Sequence, residues 1–243
     1  MNTPGVILIA LTLLMCMLYL HGIRSATRYS PLPTVPSGSD NRLLVGASVM
    51  LFAWIVIITF VGVNGLIADF STMPPKFAFF LVGMFAFAAW LALSPAGRAV
   101  SDITPLHILV GFQSFRIIVE IAIHEAYLKG LAPQQMTWSG RNLDIITGLL
   151  ALILIPVLRA NPSKKLAWMF NIIGIGLLVN VLTVAVLSMP TPMRVFMNEP
   201  SNVWVTAFPY IFLPAGAVVA ALVGHLMLTR KLLTSRSAPP TSS

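Results

Sequence analysis

Residues 105–127 read PLHILVGFQSFRIIVEIAIHEAY, a run apolar enough to cross a bilayer that nevertheless carries Gln113, Arg116, Glu120, His124 and Glu125. Arg116 and Glu120 are four residues apart, one helical turn, and so share a face. Gln113, His124 and Tyr127 fall on or beside that face; the opposite face is Ile, Val and Phe. A charge at bilayer depth is costly and is expected to look into the protein or a water-filled cavity. The rest of the chain must therefore supply helices that hide this stripe. Two readings of it stay open: a structural Arg116–Glu120 ion pair, or a binding or catalytic site.

Composition supports the bilayer. Of the 243 residues, 57% are hydrophobic and only 9% charged, against about 25% charged in soluble domains. The mean hydropathy is +0.89. The fold class expected is all-α, a polytopic transmembrane helix bundle of seven helices. Spans are expected at about 5–23, 43–66, 77–95, 105–127, 142–158, 166–189 and 203–229, forming one transmembrane domain over 1–232 with a basic flexible tail at 233–243. For the first span a cleaved signal peptide is the competing reading. The start, MNTPG, has no basic n-region and no convincing small-residue cleavage site follows, which favours a retained helix.

Connections are marked by proline and polar residues. SPLPTVP lies in the loop 24–42, where Asp40 or Asn41 suits a helix cap. DFSTMPPK at 69–76 is a turn, and SPAGRAVSDITP at 94–105 reads as the link into the fourth span. Lysine and arginine placement sets a direction. Arg24, Arg28, Arg42, Arg98, Arg159, Lys164, Lys165, Arg230, Lys231 and Arg236 fall on one side, and Lys76, Lys129, Arg141 and Arg194 on the other. The positive-inside rule then places the C-terminus in the cytoplasm and the N-terminus outside, in a bacterial inner (plasma) membrane. The formal charge of +8 is scattered over short loops and the tail. It fits topology and anionic lipid, and no nucleic-acid module accompanies it.

With that topology, Arg116 sits near mid-membrane and Glu120, His124 and Glu125 lie progressively outward. The run MTWSGRNLDIITG (136–148) is polar for a helix entrance, and its Arg141, Asn142 and Asp144 fall near the same level. Asn180, with Thr183 on the same helix, and Tyr210 beside Pro209 are further candidates, as is Asn64. The expected polar intramembrane site is Gln113, Arg116, Glu120, His124, Arg141, Asn142, Asp144, Asn180 and Tyr210. For the asparagines the plain alternative is helix–helix hydrogen bonding, and for Tyr210 interface anchoring. Arg116 has the donor fork to clamp a carboxylate or phosphate, while Glu120 or Asp144 could carry protons.

No cofactor is expected. His124-Glu125 with Glu120 offers only one i,i+4 pair and no H-E-x-x-H, so a metal is disfavoured. His21, His107 and His225 lie near one level, but haem spanning the membrane would need paired histidines at both, and the outer half has only His124. Histidines near helix ends ordinarily meet headgroups. The lone Cys16 excludes an intramolecular disulfide. No lysine suits a retinal Schiff base, and Walker A, Gly-rich dinucleotide and G-x-S-x-G motifs are absent.

The runs QSFRIIVEIAIHE (113–125), APQQMTWSGRNLDIITGLLA (132–151) and FPYIFLPAGAVVAALVGHLMLTRKL (208–232) resemble an uncharacterised family of bacterial multi-pass, about seven-helix, inner-membrane proteins. The similarity rests on a mid-helix Arg and Glu, a loop ending Gly-Arg-Asn-x-Asp, and a last helix opening Phe-Pro-Tyr and ending with His near a basic stop. It covers residues 105–232 and implies no activity, cofactor or substrate. The function expected first is binding or transport of a small polar or anionic solute, with proton coupling. The alternatives are an intramembrane enzyme acting on a lipid-like substrate and a non-catalytic scaffold or sensor subunit. Expected partners are membrane lipids, an unidentified small polar or lipid-like ligand, and a membrane-protein partner or a second copy in a homo-oligomer, with no nucleic acid.

Overall fold

The computed structural model describes residues 2–29 and 40–234. The proline-rich stretch 30–39 and the end of the tail, 235–243, lie outside these residues, and with them Arg236 and most of the expected tail. The elements in order are α1 (Thr3–Tyr29), α2 (Asp40–Val63), α3 (Lys76–Leu93), α4 (Pro95–Ile103), α5 (Leu106–Phe112), α6 (Arg116–Leu128), α7 (Ile145–Ala160), α8 (Lys164–Leu187) and α9 (Val219–Thr234). No strand occurs among the described residues.

Six helical segments are long and apolar enough to cross a membrane: Thr3–Arg28, Asn41–Val63, Lys76–Leu93, Leu106–Leu128, Lys164–Leu187 and Leu213–Thr234. They mark the chain as a membrane protein. Two of the six are mostly buried, Leu213–Thr234 at 67% and Leu106–Leu128 at 56%, while the other four bury only 17–33%. The polar-striped helix and the last helix therefore form the centre, and α1, α2, α3 and α8 turn Leu, Ile, Val and Phe outward. Phe52, Phe60, Phe79 and Ile172 are each at least 60% exposed, as a lipid-facing surface requires.

Glycines set the close approaches of the centre. A Cβ on Gly148 would sit 2.6 Å from Ile117 Cγ1, so α7 lies hard against α6. A Cβ on Gly216 would meet the Thr12 hydroxyl and pry α1 from the last span. Small residues permit this packing where lipid gives helices no hydrophobic drive to associate.

Three expectations are corrected. Residues 94–105 are not a bare link but hold a nine-residue helix, α4. Ser94 caps it by accepting from the Gly97 N–H at 3.1 Å, and Pro95 opens it, where proline's missing N–H costs nothing. Residues 24–29, expected in a loop, extend α1. The last span starts ten residues later than expected, at Leu213, with Trp204–Thr206 a short 3₁₀ turn before it.

Two of the crossings are locally broken. Gln113–Phe115 forms a 3₁₀ turn between α5 and α6. Leu213–Val218 is a π-helical turn containing Pro214 and running into α9, and the Trp54 indole N–H donates to Ala215 O within it at 2.8 Å. Such irregular turns cluster at functional positions. The fifth expected span is the 16-residue α7, about 24 Å long at about 1.5 Å per residue, short of a hydrocarbon core of about 30 Å. The segment before it is folded into the protein: Gln135, Met136, Thr137 and Asn142 are buried. Irregular backbone beside lipid is tolerated where protein covers it.

Candidate functional site

The 3₁₀ turn fixes where the polar stripe begins. Gln113 is buried, and its side-chain amide donates to Ala221 O at 3.0 Å, tying the turn to the last helix. Arg116 opens α6 and is 1% exposed. Its Nε lies 2.8 Å from Asp144 Oδ2. Its Nη1 donates to Gly174 O and to His225 Nε2, both at 3.3 Å. The ion pair is thus made across helices, and no ion pair joins Arg116 to Glu120. Of the two readings left open, the in-helix pair is not the one formed: Asp144, just ahead of α7, reaches the guanidinium from the neighbouring element.

Glu120, also 1% exposed, bonds instead to Asn142, whose amide donates to Glu120 Oε1 at 2.6 Å and to Met136 O at 2.9 Å. Asn142 Oδ1 in turn accepts from the Asp144 N–H at 3.0 Å. One buried asparagine thereby fixes Glu120, the loop and the start of α7. The preceding Gly140 is required sterically, since a Cβ there would sit 2.3 Å from Gln134 O. The Gly-Arg-Asn-x-Asp run is the knot that brings Asp144 to Arg116.

From Arg116 the network continues away from Glu120. An arginine only donates, so His225 Nε2 accepts and the ring hydrogen lies on Nδ1. Nδ1–H then donates to Asn171 Oδ1 at 2.8 Å. Asn171 donates to Thr229 Oγ1 at 2.7 Å, and Thr229 donates to His225 O at 2.8 Å. His225 and Asn171 are fully buried. His225 therefore does not meet headgroups, contrary to expectation. Gly174 makes room for its ring: a Cβ there would sit 2.4 Å from His225 Cε1.

The other expected members go elsewhere. His124, one turn beyond Glu120, stacks on Trp138 with ring centroids 4.2 Å apart. Arg141 is exposed, with its guanidinium over Phe196 at 5.2 Å. Asn180 donates to Arg141 O at 2.9 Å, a helix–loop tie. Tyr210 accepts from the Asn2 amide and packs edge-on to Trp204. Asn64, just past the end of α2, donates back to Phe60 O. The structure brings together Arg116, Glu120, Asn142 and Asp144, with Gln113 nearby, and adds Asn171, His225 and Thr229. Thr229, four residues after His225, was the available sign of a polar face on the last helix. Nothing local pointed to Asn171.

Residues 72–233 match the family described as a domain of unknown function, DUF8737. The chain belongs to this family. The matched region holds the whole network from Glu120 to Thr229, while α1 and α2 precede it. No curated protein and no solved structure matches the chain.

Beside the network is a cavity of about 60 Å³, walled by Phe77, Val119, Leu178, Val181 and Leu213 and bounded by Arg116, Glu120 and Asp144. Each of these three residues has buried atoms without a hydrogen bond: Arg116 Nη2 and Nε, the latter held by the Asp144 ion pair, Glu120 Oε2 and Asp144 Oδ1. A water needs about 10–15 Å³ measured this way, so the space suits a small ion or a few waters. Among the described residues, no group of three His, Cys, Asp or Glu side chains is placed to hold a metal ion.

Proposed function

We propose that this protein binds and conducts a proton or a small cation through a multi-pass bundle, at the site formed by Arg116, Glu120 and Asp144. The supporting observation is that the three residues carrying unsatisfied buried atoms line one small cavity. Two carboxyl groups face one guanidinium, so with both ionised the site has a formal charge of −1. A single proton or monovalent cation balances it. An anionic solute meets two carboxylates and a guanidinium already engaged by Asp144, Gly174 and His225, so a cation is preferred here to the small polar or anionic solute expected from the sequence. Glu120 is the exchanging group, held by Asn142 through one oxygen and free at the other. Asp144 and Arg116 hold the charge beside it.

Seven crossings, with α7 as a short one completed by the loop before it, fit this reading. So does a C-terminus on the cytoplasmic side of a bacterial inner membrane, because α4, the ends of α1, α7 and α9 and the start of α8 carry most of the arginines and lysines. The test is flux in proteoliposomes containing a trapped pH dye, with an imposed potassium diffusion potential and sodium added in a second series. Wild type and Asp102→Asn, altered at a surface pair, should conduct above protein-free vesicles; Glu120→Gln should fall to the protein-free rate. Equal flux in wild type and Glu120→Gln, or no flux in either series, would reject the proposal.

A further inference from the structure

A second and much larger cavity, about 520 Å³, lies on the other side of the last helix, away from the carboxylates. Its size is within the roughly 300–1,000 Å³ of small-molecule sites. Its walls are almost wholly apolar and include Met15, Trp54, Phe87, Leu109, Val219 and Ala220. Loose packing does not account for it, because the surrounding helices are pinned. Gly22 abuts Val100, Gly111 abuts Ile155 and Gly216 abuts Thr12, at distances where a Cβ would collide or crowd. Tyr19 donates to Leu91 O at 2.8 Å, and Trp54 is stacked on Phe87 at 4.1 Å. Protein interiors are otherwise close-packed, and an apolar void forfeits the dispersion contacts of its lining.

The cavity also has a direction. Leu18 and Ile108, which line it, are 46% and 51% exposed, so it opens sideways between α1 and α5 towards the lipid. Thr12 and Tyr19 also line it, but their hydroxyls donate to Leu8 O and Leu91 O; the remaining hydroxyl and imidazole groups, on His21, Ser25, Thr104 and His107, gather at one end. Arg24 is exposed one turn from His21 on the same helix. The same end of the bundle carries Arg98 and the Arg230–Asp102 pair. An apolar slot opening to lipid, with a polar, positively charged rim, matches one chemical form: a hydrocarbon chain ending in an anionic headgroup.

We propose that this cavity holds the acyl chain of an anionic single-chain lipid, entering between α1 and α5, with its headgroup at His21, Ser25 and His107 and beside Arg24. The site is separate from the carboxylate cluster and is walled in part by α1 and α2, which precede the matched family region. A ligand there would brace α1 against the last helix beside the π-helical turn at Leu213–Val218.

The experiment uses the purified full chain in detergent and lysophosphatidylglycerol with a brominated acyl chain, which quenches tryptophan on contact. Trp54 lies in the cavity wall. Saturable quenching is expected, with the saturable part absent in Trp54→Phe and binding roughly tenfold weaker or more in Ala220→Phe. Brominated lysophosphatidylcholine should bind about fivefold more weakly, a difference removed in Arg24→Ala. A readout needing no substitution accompanies it: Cys16 lines the same cavity, and unlabelled lysophosphatidylglycerol should slow its alkylation by N-ethylmaleimide. Quenching without a saturable part, a saturable part that persists in Trp54→Phe, or Cys16 alkylation unchanged by the lipid would overturn the proposal. Equal binding of the two headgroups would overturn the anionic assignment.

Discussion

Replacing Asp144 by Ala tests whether the Arg116–Asp144 pair holds the centre of the bundle together. Both side chains are almost fully buried, at 2% and 8% exposure, with 2.8 Å between Nε and Oδ2. Removing one partner of a buried pair leaves an uncompensated charge and costs about 3–5 kcal/mol. Arg116 would keep Gly174 O and His225, so the lower end, about 3 kcal/mol, is expected. The exposed Arg230–Asp102 pair gives the comparison, since Asp102→Ala should cost at most about 1 kcal/mol. The assay is unfolding in mixed micelles, followed by circular dichroism as the denaturing detergent fraction rises. Arg116→Met with Asp144→Leu should recover part of the loss, because apolar replacements remove the charges as well as the pair. If Asp144→Ala were no more damaging than Asp102→Ala, or if the double variant simply summed the single losses, the pair would not organise the bundle.

Other consequences can be measured the same way. Asn142→Ala should cost about 2 kcal/mol or more, since it leaves Glu120 Oε1 and Met136 O without their donor; it should also expose the 134–142 loop to protease. Gly174→Ala should cost about 1–3 kcal/mol by pushing His225 off Arg116, whereas Gly176→Ala, with open space around it, should be neutral or slightly stabilising. In the loop between α2 and α3, hydrogen bonds from Ser71, then Lys76, hold the Asp69 carboxyl down at about 2 from the usual 3.8. Its contribution to loop order is present above the ordinary value and is lost as pH falls through about 2. An NMR titration should show this midpoint, and Ser71→Ala should move it back towards 3.8.

The apolar spans and the stripe at Gln113, Arg116 and Glu120 were legible because period and composition carry them. The pairing within the stripe was not. Spacing favours the local Arg116–Glu120 contact, but Asp144 arrives from a loop whose path depends on Gly140 and Asn142. The short connection after the striped helix was enough to point Asn142 and Asp144 towards Glu120. His225 and Asn171 meet only because α8 and the last helix cross at Gly174, a long-range packing that no local pattern announces. α4 had a readable signal, Ser94 followed by Pro95, a capping residue before a first-turn proline; the polar, glycine-containing composition masked it. Asn180, Arg141 and Tyr210 are polar at the expected level but spend their bonds on loop and terminus, which spacing does not distinguish from a site.

The most direct measurement of the central claim is the infrared difference spectrum of the reconstituted protein across a pH step, read at the carboxyl stretch. If Glu120 exchanges a proton inside the bundle, a protonated-carboxyl band appears and disappears with pH in wild type and is missing in Glu120→Gln. It should shift when Asn142 is replaced. A wild-type spectrum indistinguishable from that of Glu120→Gln across the whole pH range would contradict the account.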